Sequence, residues 1–285
     1  VAARPLVPAL ETGTVRIGDA PATVTLRSAY VDPVAVAFVA TRTGPDPVTV
    51  RIAEVADDRL AMVLQEPANL DGTHVFETVH YAVAEAGAWL LPGGGLFEAG
   101  RLATDRLTTD GFERVDFAAG FGGTPAILSQ VQSFAGPDFV VTRQRDPDRD
   151  GFAIAMQEEE ALNAGSHAVE TVGWMAFETG RFTHGTGAFE AGRRAGVTDA
   201  GATVRPSAPL GEGAGWLAQL ASFAGSDPAS ARGIARAPDG LELFLEEDTG
   251  ADGETAHRAE TVDWLAFTDG LALSATPVET LPDLA

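Results

Sequence analysis

The chain has 285 residues, a formal net charge of −22 at pH 7, and neither lysine nor cysteine. So acidic a surface is repelled by phosphate backbones and anionic lipid, which argues against nucleic-acid and membrane-surface roles and for solubility in salty water. Schiff-base lysine chemistry, disulfides and thiolate metal sites are excluded, and no apolar run reaches the ~18 residues of a membrane span.

Val1 to Pro8 lack the basic start and apolar middle of a signal peptide, so any leader is expected to have been removed already. A first unit opens on Leu-Glu-Thr-Gly at Leu10. It continues through a Val/Thr/Ala-rich segment (Val48 to Val55), a tight turn at Asp57-Asp58 and the alternating row Leu60-Met62-Leu64, the pattern of half-buried strands in a hairpin. An acidic loop then leads into His74-Val-Phe-Glu77-Thr-Val-His-Tyr81. The same order returns from Phe97 and again from Phe189, ending in His167-Ala-Val-Glu170-Thr-Val-Gly-Trp174 and His257-Arg-Ala-Glu260-Thr-Val-Asp-Trp264, so the phrase recurs at starts 93 and 90 residues apart. In every copy 14 residues separate a strand arginine (Arg51, Arg143, Arg232) from Gln65, Gln157 or Glu246.

This is a threefold internal repeat of roughly 80 residues per unit. About six strands per unit, turn signals between them and no convincing helix predict small antiparallel β-sandwiches. The expected units are 10–88, 96–181 and 188–271, followed by a C-terminal tail at 272–285. The Gly-rich linkers Ala88 to Gly95 and Arg181 to Gly187 are short and must hold the copies close.

Alternation places Glu66, Glu158 and Glu247 at the end of one core-facing row and Glu77, Glu170 and Glu260 at the start of the next. Paired carboxylates need a cation, and the loop histidine and the repeated arginine are the partners available. A Glu-His-Glu cluster, with arginine, is expected at one rim of each unit, either as a clasp for the long loop or as a binding site. His-x-x-Glu on a strand splits its residues between two faces, which argues against zinc. Asp146-Pro-Asp148-Arg-Asp150-Gly151 has the start of a calcium loop, but position twelve is Gln157, so a turn is expected. Adjacent Glu158, Glu159 and Glu160 do not have the spacing of a glycosidase pair. No phosphate loop or nucleophile elbow stands out. Tyr81, Trp174 and Trp264 read as core; the placing of Trp89 and Trp216 is open.

Gly13 to Val15, the Pro33 to Val39 strand, the arginine strand, the hairpin and the final aromatic strand together resemble the H-type lectin domain, three times over. The resemblance implies six-stranded sandwiches associating around a threefold axis, here as an intramolecular pseudo-trimer, and sugar contacts in loops near the joins. Mapped onto this chain, those loops hold Asp46, Asp138 and Asp227 and His74, His167 and His257. Pro47, Phe139 and Pro228 fall where the family's sugar-binding arginine would stand, so its sugar specificity does not carry over. The repeats also look like modules appended to large secreted or virion proteins of marine bacteria and their phages.

The expectation is a non-catalytic, extracellular carbohydrate-binding protein, secreted, at a cell surface or on a virion, without cofactor or metal. Its partner would be a glycan or polysaccharide, held weakly at three sites and strengthened by avidity. The candidate contacts are Asp46, Arg51, Glu66, His74, Asp138, Arg143, Glu158, His167, Asp227, Arg232, Glu247 and His257. The alternative is a structural module of a virion, tail or surface-layer assembly, as a homo-oligomer or within something larger. Gly211 to Gly215 and Glu246 predict a weaker third site, and Gln130, Gln132 and Glu158 to Glu160 a stronger second.

Overall fold

The protein, seen as a computed structural model, is described over residues 7–91, 94–161, 165–185, 187–237 and 240–278. Among these the regular structure is all β, apart from one 3-10 turn at Thr108–Asp110. Every pairing between its strands is antiparallel.

The first repeat supplies β1 (Val7–Ile17), β2 (Ala22–Thr25), β3 (Pro33–Val39), β4 (Thr49–Ala56), β5 (Arg59–Gln65) and β6 (Glu77–Glu85). They pair in the orders β1-β6-β3 and β2-β5-β4. Period-two alternation points Ala35, Val39, Val79, Tyr81 and Val83 from one set at Val50, Ile52, Leu60, Met62 and Leu64 from the other, and these form one apolar cluster. After β7 (Gly87–Leu90), the second repeat gives β8 (Leu96–Thr104), β9 (Glu113–Asp116), β10 (Ala126–Val131), β11 (Val140–Arg145), β12 (Gly151–Glu158) and β13 (Glu170–Phe177). After β14 (Gly180–His184), the third gives β15 (Gly187–Val197), β16 (Ala202–Val204), β17 (Gly215–Leu220), β18 (Ala229–Ala237), β19 (Gly240–Glu247), β20 (Glu260–Phe267) and, beyond it, β21 (Ala272–Pro277). The pairing is conserved: β8-β13-β10 with β9-β12-β11, and β15-β20-β17 with β16-β19-β18.

The opening and closing phrases of each repeat meet on neighbouring strands. Gly13 pairs with Tyr81, Gly100 with Trp174 and Gly192 with Trp264. A Cβ on those glycines would stand 2.3, 2.5 and 2.4 Å from the ring opposite, so glycine is required for the aromatic to lie flat across the strand. Trp89 and Trp216 are also buried in the core.

The edge strands β3, β10 and β17 are covered on both faces. Val34, Val36 and Phe38 of β3 join Ala126 and Leu128 of β10 and Trp216, Ala218 and Leu220 of β17 in one cluster shared by the three repeats. The expected half-buried alternation therefore gives way here to continuous apolar runs.

The segments expected as linkers carry strands: β7 lies against β8 (Trp89 opposite Phe97) and β14 against β15 (Phe182 opposite Phe189). The stretch from 272, expected as a tail, likewise contains β21, which lies against β1 with Leu273 opposite Leu10; residues 279–285 are outside the described residues. Leu10, Phe97 and Phe189 open the three repeats, so the strand after each repeat pairs with the first strand of the next and the third returns to the first. The third repeat's counterpart of the Asp57-Asp58 turn, expected at Asp239-Gly240, begins outside the described residues, as do Val1 to Leu6.

Candidate functional site

Each repeat builds a buried carboxylate hub at the start of its last strand. Glu170, the first residue of β13, accepts from the Ala135 and Gly136 amides at 3.0 and 3.1 Å and from the Ser133 hydroxyl. His167 bridges, with Nδ1 2.7 Å from Glu158 and Nε2 3.4 Å from Glu170. The histidine sits in the loop just before the strand, so its ring swings back to Glu170, and the opposed-face geometry expected of a strand does not apply. The hub recurs as Glu66-His74-Glu77, with 2.7 and 3.3 Å contacts, and as Glu247-His257-Glu260, with 3.3 Å to Glu260.

The arginine in each hub comes from the preceding repeat, not from its own. Arg51 reaches Glu170 at 3.2 Å, Arg143 reaches Glu260 at 2.9 Å, and Arg232 reaches Glu77 at 2.7 Å. All three arginines are fully buried. Each also donates to the loop that holds Asp46, Asp138 or Asp227 in the repeat it enters: Arg51 to Gly136 O, Arg143 to Asp227 O at 3.2 Å, Arg232 to Gly44 O and to Asp46 O at 2.8 Å. Phe134 and Phe223 stack on Arg51 and Arg143 at 4.6 and 4.7 Å. The third join exchanges these roles, with Arg42 on the loop standing over Phe244 at 4.7 Å. There Arg232 also meets Glu246 at 2.6 Å, whereas Arg143 meets the neutral Gln157 at 2.6 Å.

Burial alone would raise the pKa of Glu170 and Glu260, but hydrogen bonds from the histidine, the serine and the loop amides outweigh it and hold each at about 2. Glu77 is lowered in the same way. His167 is raised, chiefly by Glu170 and then by Glu158 against the burial that opposes it. Burial pulls His74 and His257 down, and their two carboxylates more than compensate, so both are raised. Each hub therefore sets a histidine, with its charged form favoured, between two carboxylates and is closed by a neighbour's guanidinium.

A second contact ring joins the repeats. The edge-strand amides of Ala35, Ile127 and Trp216 are covered by side chains of the following repeat: Gln132 Oε1 at 3.0 Å, Asp263 Oδ2 at 2.9 Å and His80 Nδ1 at 2.9 Å. Asp263 and His80 occupy the variable position of the Glu-Thr-Val-x-aromatic phrase. Gly173 stands there in the second repeat, where a Cβ would lie 2.1 Å from Gln132 Oε1, so the glycine opens the path for Gln132. Burial pushes Asp263 up to about 7, against the pull of Arg193, whose Nε is 3.1 Å away. Gln130 is likewise spent on a join, donating to Val50 O at 2.8 Å.

The twelve candidate contacts thus divide. The arginines, histidines and the Glu66, Glu158 and Glu247 carboxylates are buried, while Asp46, Asp138 and Asp227 are half-buried at the rim. The third repeat opens into a cavity of about 300 Å³ lined by Ser226, Asp227, Glu247, His257 and Arg258. Ligand atoms of Asp138, Glu158 and His167, and of Asp227, Glu247 and Glu254, converge within 4.8 Å. Both ring nitrogens of His167 face carboxylates, so an ion at the first group would have to displace its contact with Glu158 or Glu170. At the calcium-like segment Asp148 Oδ1 accepts the Asp150 and Gly151 amides, both at 2.8 Å, and pairs with Arg114, so the carboxylate closes a turn. Pro47, Phe139 and Pro228, from three repeats, line one small cavity with Glu246 and Asp248. The cyclic origin of the arginines escaped the sequence reading, because spacing within a copy does not reveal which copy a side chain enters.

No protein-family model matches the chain, and no solved structure matches it. The chain is similar to Halomucin of Haloquadratum walsbyi, 27% identical over 210 residues that cover 72% of this chain and 2% of that protein. The chain thus spans a small fraction of the length of this relative.

Proposed function

We propose that the protein is a non-catalytic structural and adhesive module of an extracellular surface. In this reading, residues 10–88, 96–181 and 188–271 are three tandem H-type lectin-like sandwich domains closed into an intramolecular pseudo-trimer, and the hubs are clasps between them. The observation that carries it is the cycle Arg51 to Glu170, Arg143 to Glu260 and Arg232 to Glu77, with every member buried. A buried pair contributes little net stability over an apolar one, yet breaking it is costly, so its use is to fix which surfaces meet. The likeness to a stretch of Halomucin supports a place at a cell surface. Chemical denaturation followed by tryptophan fluorescence and circular dichroism tests this, since Trp174, Trp216 and Trp264 report on the second and third repeats. One coincident transition is expected, and separate transitions for the repeats would contradict it.

The third-repeat cavity favours a second reading, glycan recognition there, with Asp227 accepting from sugar hydroxyls and Arg258 donating. A glycan array probed with the folded protein separates the two. Competable binding lost in Asp227→Ala supports recognition, and silence with a folded protein leaves architecture alone.

A further inference from the structure

The strand after each repeat fills a slot against the next repeat, and β21 differs from β7 and β14 in how it is tethered. β7 and β14 run on through short loops into the strands they pair with, β8 and β15, whereas β21 pairs with β1 at the opposite end of the sequence. Its second neighbour is β7, with Thr276 opposite Leu90 and Pro277 opposite Trp89. Neither neighbour belongs to the third repeat. What ties β21 to that repeat is the turn between Phe267 and Ala272, closed by the Leu271 amide on Thr268 O at 3.2 Å and by Gly270 at φ 60°.

The slot binds firmly. Leu273 and Ala275 are buried in the shared core, and Val278 N donates to Ala88 O at 2.8 Å. Thr12 N donates to Leu271 O at 2.9 Å, and Arg27 holds the turn by donating to the carbonyls of Gly270 and Leu271. The strands that pair with β21 and the Thr12, Arg27 and Ala88 groups that hold it come from residues 7–91, while the core that buries Leu273 and Ala275 is shared by the three repeats.

We infer that the β1/β7 slot is an interaction surface for a second copy of this chain, which enters by reciprocal exchange of β21. Every pairing of β21 is kept when the strand is supplied by a neighbour; only the 268–271 turn opens. Four extended residues reach ~13 Å, enough to cross between two molecules in contact. Exchange replaces the 268–271 turn with extended chain, so the equilibrium is set by concentration and by the stability of that turn. The inference rests on the β21 pairing and stands whether or not the clasps direct architecture.

Equal amounts of ordinary and nitrogen-15-labelled protein are unfolded together, refolded at high and low concentration, and examined by native mass spectrometry. A mixed-label dimer is expected at high concentration. Gly270→Val, which disfavours the turn, is expected to raise its fraction several-fold. In Val7→Cys/Ala275→Cys, whose residues face one another across the two strands, oxidation of the dimer is expected to trap two chains on a denaturing gel. Only monomers in wild type and Gly270→Val at every concentration, or dimers that the 7–275 disulfide never links, would overturn the inference. Failure of Gly270→Val to fold leaves the wild-type dimer and the disulfide to decide.

Discussion

Arg232 donates to Glu77 at 2.7 Å across 155 residues of sequence, and so brings the third repeat onto the first as Arg51 and Arg143 bring the first onto the second and the second onto the third. The third join differs in carrying a second carboxylate, Glu246, where the others carry glutamine. Glu77 is the more heavily bonded of the two, accepting from Arg232, Thr41 and the Thr43 and Gly44 amides. Glu77→Gln is expected to cost about 1–3 kcal/mol, because the Thr41 hydroxyl and the Thr43 and Gly44 amides lose their charged acceptor while Arg232 keeps Glu246. Glu246→Gln recreates the chemistry of the other two joins and is expected to cost less than about 1 kcal/mol. Urea denaturation at neutral pH reads both, and equal losses would contradict the assignment of Glu77 as the hub.

Stability is expected to fall on both sides of a plateau. Glu170 and Glu260, held at about 2, contribute stability that is present above the ordinary carboxylate pKa of ~4.3 and lost as pH falls towards 2. The raised histidines contribute stability that is complete below their unfolded pKa of ~6.5 and lost as pH rises through the higher folded value. A melting-temperature profile that climbs steadily from acid through neutral to alkaline pH would contradict the favoured charged form of the bridging histidines.

Asp263 works in the opposite sense to the hub carboxylates. Raised to about 7, it contributes stability that is present below about 3.9 and lost as pH climbs towards 7. In Asp263→Asn the amide oxygen keeps the Ile127 contact, so the gain in melting temperature over wild type should grow between about pH 4 and pH 7 and level off above. A difference that shrinks over that window would show that Asp263 ionises in the fold as it does in water.

The edge-strand covers give a fourth test. Gln132→Ala strands the buried Ala35 amide and should cost about 1–3 kcal/mol. Gly173→Ala drives a methyl group into Gln132 Oε1 and should cost a similar amount, while adding little in the double variant, because both remove one contact. Additive losses would place the two residues in separate interactions.

Much of each repeat is legible from alternation and phrase spacing: the hairpin rows Leu60-Met62-Leu64 and Phe152-Ile154-Met156, and the Glu-His-Glu grouping around His74, His167 and His257. The contacts between repeats are not. Val34, Val36 and Phe38 face a shared core, so β3 carries an unbroken apolar run in which period two is lost. The Gly13, Gly100 and Gly192 positions and the aromatics at 81, 174 and 264 are both visible as repeated letters, yet their pairing becomes apparent only when first and last strands lie side by side. Apolar pattern in Leu271, Leu273 and Ala275 was a signal for a strand where a tail was expected.

The most direct test of the ring of clasps is a double-mutant cycle between Arg143 and Glu260, two residues in different repeats, using Arg143→Met, Glu260→Gln and the double variant, each unfolded by urea at neutral pH. The account predicts a coupling energy of about 2 kcal/mol or more, with the double variant far less damaged than the sum of the singles. A coupling near zero would mean that the two side chains do not meet in solution, and the closed arrangement of the three repeats would fall with it.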